Sequence, residues 1–208
     1  LNKIGGENFT DEELQLTQVL ADHAALAIEN ASLYRQAQAA ARTDALTGLN
    51  NVVYFNRLLP ELVERSTPLS LVVLDLDDFQ QVVEHVGHLT GSRTIGYLGR
   101  VISHLIRPGD VAARFGGDEF VVILPDTDSD TARDIAETIR AAIEACSSPD
   151  GNGVDISTVT ASVGVATCPD NADTAAALFR VAHSAMFRVK RDGKNNVAVA
   201  PRVVRTGH

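Results

Sequence analysis

The chain has 208 residues, with 27 Asp and Glu against 18 Lys and Arg, and its formal net charge is −9. Hydrophobic residues make up 45% and charged residues 22%, a balance typical of globular domains that excludes an intrinsically disordered chain. The length allows one domain with an accessory element or two small domains. The acidity argues against non-specific binding of nucleic acid or of a membrane surface as the main role.

Cysteine content and apolar runs indicate the cellular compartment of the protein. Cys146 and Cys168 are too few for a disulfide framework, so a reducing compartment is expected, here the cytoplasm. No apolar run approaches the roughly 20 residues of a membrane span, and no signal-peptide pattern occurs. The chain opens at Leu1 in mid-pattern, which predicts that it is a fragment of a longer protein.

The N-terminal segment, residues 1–42, is predicted to end one unit and begin a long helix. Gly5 and Gly6 indicate a turn, and Thr10 with Glu13 fits a capping box, in which each side chain bonds the backbone of the other residue. No Pro or Gly occurs from 11 to 42 and alanine is dense, which predicts a single helix there.

Apolar residues of this helix form two stripes. One steps by four and three residues, as in a heptad seam: Leu20, Ala24, Ala27, Ala31 and Tyr34. The second consists of Leu16, Val19, Leu26 and Leu33. Either the helix packs on its own domain, or it pairs with a second chain as a coiled coil that carries a signal from upstream. Only about two to three heptads fit, so periodicity does not decide between them.

The second unit, residues 43–201, alternates helical and strand patterns, and a short tail follows at 202–208. The predicted elements are a helix over 51–66, a strand over 69–74, a helix over 79–106 broken or kinked near Gly87 and Gly91, strands over 111–115 and 120–124, a helix over 128–146, a strand over 157–167, a helix over 172–191 and a strand over 195–200. This order predicts an α/β (α+β) fold in which helices pack against a mixed sheet. Gly116 and Gly117 are expected to supply positive φ angles in a hairpin turn.

Two acidic clusters carry the first indication of chemistry. Residues 75–78 (Asp-Leu-Asp-Asp) follow the apolar strand, and Asp118 and Glu119 lie at the predicted hairpin tip. Such carboxylates can converge at one sheet edge, where they suit Mg²⁺ and phosphoryl or nucleotidyl transfer. Each cluster alone is more often a solvated turn or strand end. Together they favour the metal site.

A cationic segment lies near the C-terminus. Between residues 180 and 194 there are five cations, namely Arg180, Arg188, Lys190, Arg191 and Lys194. Lys190 and Lys194 are four residues apart, so one face of a helix end could direct both ammonium groups at phosphate oxygens. The alternative is a helix C-terminus that favours cations because of its dipole.

One motif ties these clusters to a known family. Residues 114–120 read Arg-Phe-Gly-Gly-Asp-Glu-Phe, the signature of the GGDEF family of diguanylate cyclases, which the chain resembles over 43–201. Supporting motifs follow the family order at 44–49 (Asp-Ala-Leu-Thr-Gly-Leu), 75–79 (Asp-Leu-Asp-Asp-Phe), 87–88 (Gly-His), 162–164 (Ser-Val-Gly) and 190–195 (Lys-Arg-Asp-Gly-Lys-Asn). Over a shorter stretch, residues 1–42 resemble the last strand and signalling helix of a GAF sensor domain.

The resemblance implies a fold like the palm of nucleotidyl cyclases and polymerases. It implies that two GTP-loaded domains meet as a homodimer and form cyclic di-GMP, with Mg²⁺ or Mn²⁺ as cofactor. The metal would be held by Asp75, Glu119 and the Leu76 carbonyl, while Asp118 would lie beside the reacting groups. The expected nucleotide and phosphate contacts are Gly116, Gly117, Asp77, Asp78, Phe79, Lys190 and Lys194. A product-inhibition site for cyclic di-GMP would be formed by Arg107 and Asp110.

The chain also departs from the family pattern around the base. Gln80 replaces a Lys, Val83 replaces an Asn that contacts guanine, and Ser92 replaces an Asp that accepts from guanine N–H groups. Sites that satisfy a base edge discriminate strongly, so these changes predict weaker GTP binding or relaxed base choice. In addition, Lys194 stands where the family usually has Arg, and His183 where it commonly has Asp.

Two functions follow from these observations. One is a cyclase that condenses GTP, or nucleoside triphosphates with relaxed base choice, into a cyclic dinucleotide, supported by the complete set of carboxylates with Lys190. The other is a degenerate module that binds cyclic di-GMP or a nucleotide for regulation, supported by Val83 and Ser92 beside an intact Arg107 and Asp110. A weaker third alternative is a purely structural dimerisation unit.

Overall fold

The computed structural model describes residues 10–40, 42–146 and 159–203, and the chain divides into two compact units, residues 1–41 and 42–208. In the first unit, helix α1 (Asp11–Ala40) has 30 residues. The backbone N–H of Thr10 donates to the Glu13 carboxylate and the N–H of Glu13 donates to the Thr10 hydroxyl, which confirms the predicted capping box. The strand attributed to a GAF-like domain lies outside the described residues.

The second unit combines six strands with five helices in its described part. In chain order they are β1 (Asn50–Asn51), α2 (Val52–Arg65), β2 (Leu69–Leu76), α3 (Phe79–Val86), α4 (His88–Leu105), β3 (Val111–Arg114), β4 (Glu119–Pro125), α5 (Ser129–Glu144), β5 (Ala161–Cys168), α6 (Ala175–Arg191) and β6 (Val197–Val199).

All six strands form one mixed sheet in the order β1-β3-β4-β2-β5-β6. Strand β2 lies inside the sheet and pairs antiparallel with β4 and β5, whereas β1 with β3 and β5 with β6 are parallel pairs. The apolar run of β2 follows from this position, since a strand covered on both faces needs apolar side chains in both directions. The predicted mixed sheet is confirmed.

Helices cover both faces of the sheet, so the unit is a three-layer sandwich. Along β2, Val72 and Leu74 face the core formed with α4 and α5, and Leu71 and Val73 face the core formed with α2 and α6. These two cores fix the strand ends and the last turn of α6, where the site residues lie.

Helix α6 crosses β5 at main-chain contact distance. A Cβ atom built on Gly164 would lie 2.0 Å from the carbonyl oxygen of Ala182 and 2.4 Å from the amide nitrogen of Met186. Glycine is therefore required at this crossing, which brings the helix that carries Lys190 against the central strands.

The structure corrects the predicted elements in five places. Strand β1 was not predicted. The helix over 79–106 is broken only at Gly87, where φ is +84°, and Gly91 lies within α4. Residues 159 and 160 of the strand predicted over 157–167 do not belong to β5, whereas residues 157 and 158 lie outside the described residues. Helix α6 begins at Ala175 because the Thr174 hydroxyl caps it. Strand β6 is shorter than predicted.

Candidate active site

The structure brings the two acidic clusters together at one sheet edge. Asp75 on β2 pairs directly with Glu119 on β4. Asp118 immediately precedes Glu119, and its carbonyl accepts a hydrogen bond from the Leu76 N–H at 3.3 Å. We call Asp75, Asp118 and Glu119 the acidic edge.

A lysine from α6 neutralises the acidic edge. The ammonium of Lys190 donates a short hydrogen bond to the carboxylate of Asp75. The pKa of Asp75 is raised to about 6, chiefly by burial and to a smaller extent by the charges of Asp118 and Glu119, against the opposing effect of Lys190. Three acids and one ammonium therefore meet in a partly buried place, so the edge attracts additional positive charge.

The acidic edge fits a divalent cation that also binds phosphate. Among the described residues, no group of three Asp, Glu, His or Cys side chains is arranged to hold a metal ion by itself. Mg²⁺ commonly takes only one or two carboxylates and completes its coordination with water and substrate phosphates. Asp75 and Glu119 supply that number, and the Lys190 ammonium binds the carboxylate of Asp75.

An arginine that precedes the signature turn binds the backbone of the turn. The guanidinium of Arg114 donates to the Gly117 carbonyl at 2.8 and 3.2 Å and lies 3.4 Å from the carboxylate of Asp44. Sequence reasoning assigned no role to this pair, because 70 residues separate Arg114 from Asp44 and no local signal links them.

The two glycines of the turn do not have the predicted backbone. Neither Gly116 nor Gly117 has a positive φ, so the expectation of a glycine-dependent turn conformation is wrong. Backbone bonds from Phe115 and Gly116 N–H to the Glu119 carbonyl close the turn instead. A Cβ atom on Gly117 would meet nothing within 4 Å, so open space lies beside this residue.

The remaining acids of the 75–78 run lie in different environments. The side chain of Asp77 accepts hydrogen bonds from Thr160, Ser162 and the Asn195 N–H, and the residue is only 4% exposed. Asp78 is accessible and binds the ammonium of Lys194 at 2.6 and 2.7 Å. The structure therefore gives Asp77 a role in holding the loops, and its phosphate-binding role stays a prediction.

Lys194 does not share a helix face with Lys190. Helix α6 ends at Arg191, and Lys194 follows in a turn with φ of +64°. Both ammonium groups nevertheless reach acids of the same 75–78 run, Asp75 and Asp78. The predicted shared helix face is therefore wrong, and the binding of phosphate by these two cations stays a prediction.

A cavity of about 310 Å³ lies beside the signature turn. Its lining includes Asp118 and Gly117 from the turn and Phe79, Val83 and Ser92 from α3 and α4. We call it the base cavity, because Val83 and Ser92, the positions at which the family resemblance implies contacts with the base, line it. A Cβ atom on Gly91 would lie 2.6 Å from Val83 Cγ2, so the Val83 side chain fills the space beside Gly91.

His183 adds an unpredicted contact at the acidic edge. Its Nε2 atom lies 3.7 Å from Glu119 Oε1, and its ring stacks on Phe179 at a centroid distance of 5.6 Å. Its place on α6, seven residues before Lys190, is the signal from which this position could have been found, because two helical turns keep both residues on one face.

Arg107 and Asp110 lie away from the acidic edge, at the turn before β3, and bind each other. Arg107 Nε donates to Asp110 Oδ1 at 3.0 Å, and the Asp110 side chain is 1% exposed against 50% for Arg107. The arginine also donates to the Pro125 carbonyl at 2.6 Å. An exposed guanidinium fixed by a buried carboxylate can receive an anionic ligand.

The family is shown by comparison with known proteins. The sequence model of the family described as "Diguanylate cyclase, GGDEF domain" matches residues 41–196. The chain therefore belongs to this family. Diguanylate cyclases of this family are generally metal-dependent. The GAF-like assignment of residues 1–42 stays a prediction.

Individual relatives agree with the family. Diguanylate cyclase A of Treponema denticola is 32% identical over 200 residues, covering 92% of this chain and 52% of that protein. Diguanylate cyclase DgcP of Pseudomonas aeruginosa is 37% identical over 164 residues, covering 77% of this chain and 24% of that protein. The chain thus spans about half or less of the length of these relatives.

A solved structure resembles both the fold and the helical extension. The coiled coil and GGDEF domain of DgcB from Caulobacter crescentus, in complex with c-di-GMP, superimposes with a TM-score of 0.72 at 30% identity. The match covers 89% of this chain and 99% of that one. Within the part of the chain that the structure describes, no helix is long and apolar enough to cross a bilayer.

Proposed function

We propose that this chain is the catalytic part of a metal-dependent cyclase that joins two nucleoside triphosphates into a cyclic dinucleotide such as cyclic di-GMP. The observation that carries the proposal is the pairing of Asp75 with Glu119 and Lys190 beside a cavity open to the signature turn. The named relatives and the family support the same reaction.

Each residue of the edge has a role in this proposal. Asp75, Glu119 and the Leu76 carbonyl would hold Mg²⁺ or Mn²⁺, which supplies charge neutralisation and polarisation of the α-phosphate. Lys190 and Lys194 neutralise the outer phosphates. Asp118 lies beside the position of the attacking 3′-hydroxyl and assists its deprotonation. The open space at Gly117 admits the nucleotide close to the backbone.

Base selection is the finer part of the proposal. The base cavity has Val83 and Ser92 where the family resemblance implies an amide and a carboxylate, so guanine N–H groups lose these two partners there. We infer relaxed base choice, with GTP or another purine triphosphate as substrate.

A homodimer is a further part of the proposal. Cyclisation needs two loaded domains, and α1 carries apolar side chains that are more than half exposed, among them Leu16, Leu20 and Leu26. Helix α1 therefore offers the surface for a parallel coiled coil. A cytoplasmic location is also proposed, on the support of the low cysteine content.

Product analysis tests the enzyme. Purified protein, at concentrations where it is dimeric, is incubated with Mg²⁺ and GTP, ATP or both, and the products are separated by chromatography. We expect a cyclic dinucleotide and pyrophosphate. If no mixture gives a cyclic dinucleotide, the chain is not a cyclase.

The second candidate is a regulatory module that binds cyclic di-GMP at Arg107 and Asp110. It is favoured by the exposed guanidinium held on a buried carboxylate. Calorimetry with cyclic di-GMP compares the wild type with Arg107→Ala, and Arg133→Ala serves as a control because Arg133 is an exposed arginine elsewhere on the surface. We expect binding to be lost only in Arg107→Ala, and equal binding by all three proteins would remove the proposed site.

A further inference from the structure

The turn that carries Lys194 has an unusual backbone. Gly193, Lys194 and Asn195 have φ angles of +126°, +64° and +43°, so three consecutive residues have positive φ. Lys194 and Asn195 bear side chains, and residues with side chains keep a positive φ only where the surrounding structure holds them in that conformation. The contacts that hold this turn therefore determine where the Lys194 ammonium lies.

Besides the hydrogen bond from the Lys194 N–H to the Val189 carbonyl and the pair of Lys194 with Asp78, Asn195 holds the turn on two sides. On the inner side, its backbone N–H donates to the buried carboxylate of Asp77 at 3.0 Å. On the outer side, its side-chain amide binds two residues of α5: the oxygen accepts from Arg140 Nη1 at 2.5 Å and the nitrogen donates to Glu144 at 2.8 Å.

Arg140 is itself fixed by neighbouring carboxylates. Its guanidinium donates to Glu137 at 2.6 Å and to Glu144 at 2.7 Å, and its side chain is only 12% exposed. The pKa of Glu144 is held below its usual value by hydrogen bonds from Arg140 and Asn195. Arg140, Glu144 and Asn195 therefore form a closed set of hydrogen bonds between α5 and the turn, which we call the α5 clamp.

We propose that Arg140 and Glu144 are positioning residues for substrate binding: through Asn195 they hold Lys194 where it meets the triphosphate of the nucleotide. The inference rests on the proposed function, because it assigns the triphosphate to Lys194. Neither residue is placed at the nucleotide. Their effect is to pre-organise a cation, and pre-organisation raises affinity by reducing the ordering required when the ligand binds.

The proposal predicts a loss that depends on the number of phosphates. Loosening the turn weakens the contact of Lys194 with the outer phosphates and leaves the base and the first phosphate unaffected. We expect Arg140→Ala to bind a triphosphate roughly tenfold more weakly, the size of one charge-assisted hydrogen bond, and to bind a monophosphate as the wild type does. The triphosphate affinity of Arg140→Lys should lie between those of the wild type and Arg140→Ala, since an ammonium keeps the charge but lacks the planar fork of the guanidinium.

Calorimetry with non-reacting nucleotides tests this without relying on turnover. Guanosine 5′-(α,β-methylene)triphosphate with Mg²⁺ is compared with GMP, and the adenosine pair is measured alongside. Arg133→Ala is the matched control, because Arg133 is an exposed arginine of the same helix that pairs with Asp134. Amide hydrogen exchange of Lys194 and Asn195 gives a second readout, and it should be faster in Arg140→Ala only.

The outcomes separate the two proposals. If the wild type binds neither triphosphate analogue, the proposed function fails and the positioning role fails with it. If the wild type binds and Arg140→Ala binds equally with unchanged exchange, the positioning role is wrong and the proposed function stands. Equal weakening for mono- and triphosphates indicates general damage and also overturns the positioning role. Should Arg140→Ala not fold, Glu144→Gln is judged by the same criteria.

Discussion

The acidic edge and the base cavity share Asp118 of the signature turn and differ in their other residues. At the acidic edge, Asp75 pairs with Glu119 across two strands and its carboxylate binds the ammonium of Lys190. In the base cavity, Val83 and Ser92 offer one apolar surface and one hydroxyl. The acidic edge combines paired carboxylates with an ammonium, whereas the carboxylate that lines the base cavity is that of Asp118, which belongs to both regions. In the proposed function, the metal and the phosphates bind at the acidic edge and the base enters the base cavity.

The largest effect is expected at the acidic edge. Glu119→Gln keeps the shape of the side chain and removes the charge that holds the metal, so we expect product formation to fall by about 10³-fold or more. Initial rates of pyrophosphate release measure this. Glu64→Gln, an exposed glutamate on α2, should leave the rate unchanged. A Glu119→Gln variant that retains a tenth of the activity would remove Glu119 from the metal site.

A large effect on stability is expected inside the same acidic run. Asp77 accepts three hydrogen bonds while buried, so Asp77→Ala should lower the free energy of unfolding by about 3 kcal/mol. Asp78→Ala removes an exposed pair with Lys194 and should cost less than about 1 kcal/mol. Urea denaturation measures both. Equal decreases in the free energy of unfolding would contradict the conclusion that Asp77, and not Asp78, stabilises the fold.

A smaller effect is expected in the base cavity. Ser92→Asp places a carboxylate where guanine N–H groups would be received, so the preference for GTP over ATP should rise about tenfold. Ser92→Asn is the matched control, since it adds similar bulk without the charge. Competition between the two triphosphates gives the ratio. If the ratio is unchanged by the carboxylate, the base does not bind at Ser92.

The smallest effect is expected at the phosphates. Lys194→Arg provides a forked donor in place of a point charge, and we expect the KM for the triphosphate to fall about threefold with kcat unchanged. Lys194→Gln should shift KM the other way. An unchanged KM in both variants would show that Lys194 does not contact the phosphates.

The fold and the acidic edge were largely predictable, because their signals are local. A continuous apolar run predicts a buried strand, and an acidic group at its end together with another at a hairpin tip predicts a shared edge. The burial of Asp77 and the exposure of Asp78 were not predictable. The partners of Asp77 lie 83, 85 and 118 residues away, beyond any periodicity in the sequence.

Local rules also failed for backbone conformation. The glycine pair at 116 and 117 predicted positive φ and has none, while Asp78, Lys194 and Asn195 have positive φ without being glycine. At these three positions tertiary contacts override local preference: Lys194 binds Asp78, and Asn195 binds Asp77 and α5. Side chains that carry a role in the site thus take the backbone conformation that its geometry requires.

The contact of Gly164 with the backbone of α6 fixes the angle at which this helix crosses the sheet. Lys190 lies eight residues beyond Ala182, about 12 Å further along the helix. A methyl group at 164 that tilted α6 by about 5° would displace Lys190 by about 1 Å, enough to disturb the geometry of a reacting group. The absence of a side chain at residue 164 thus determines the position of the Lys190 ammonium at the sheet edge. It does so through the orientation of α6, without contact between residue 164 and the ligand.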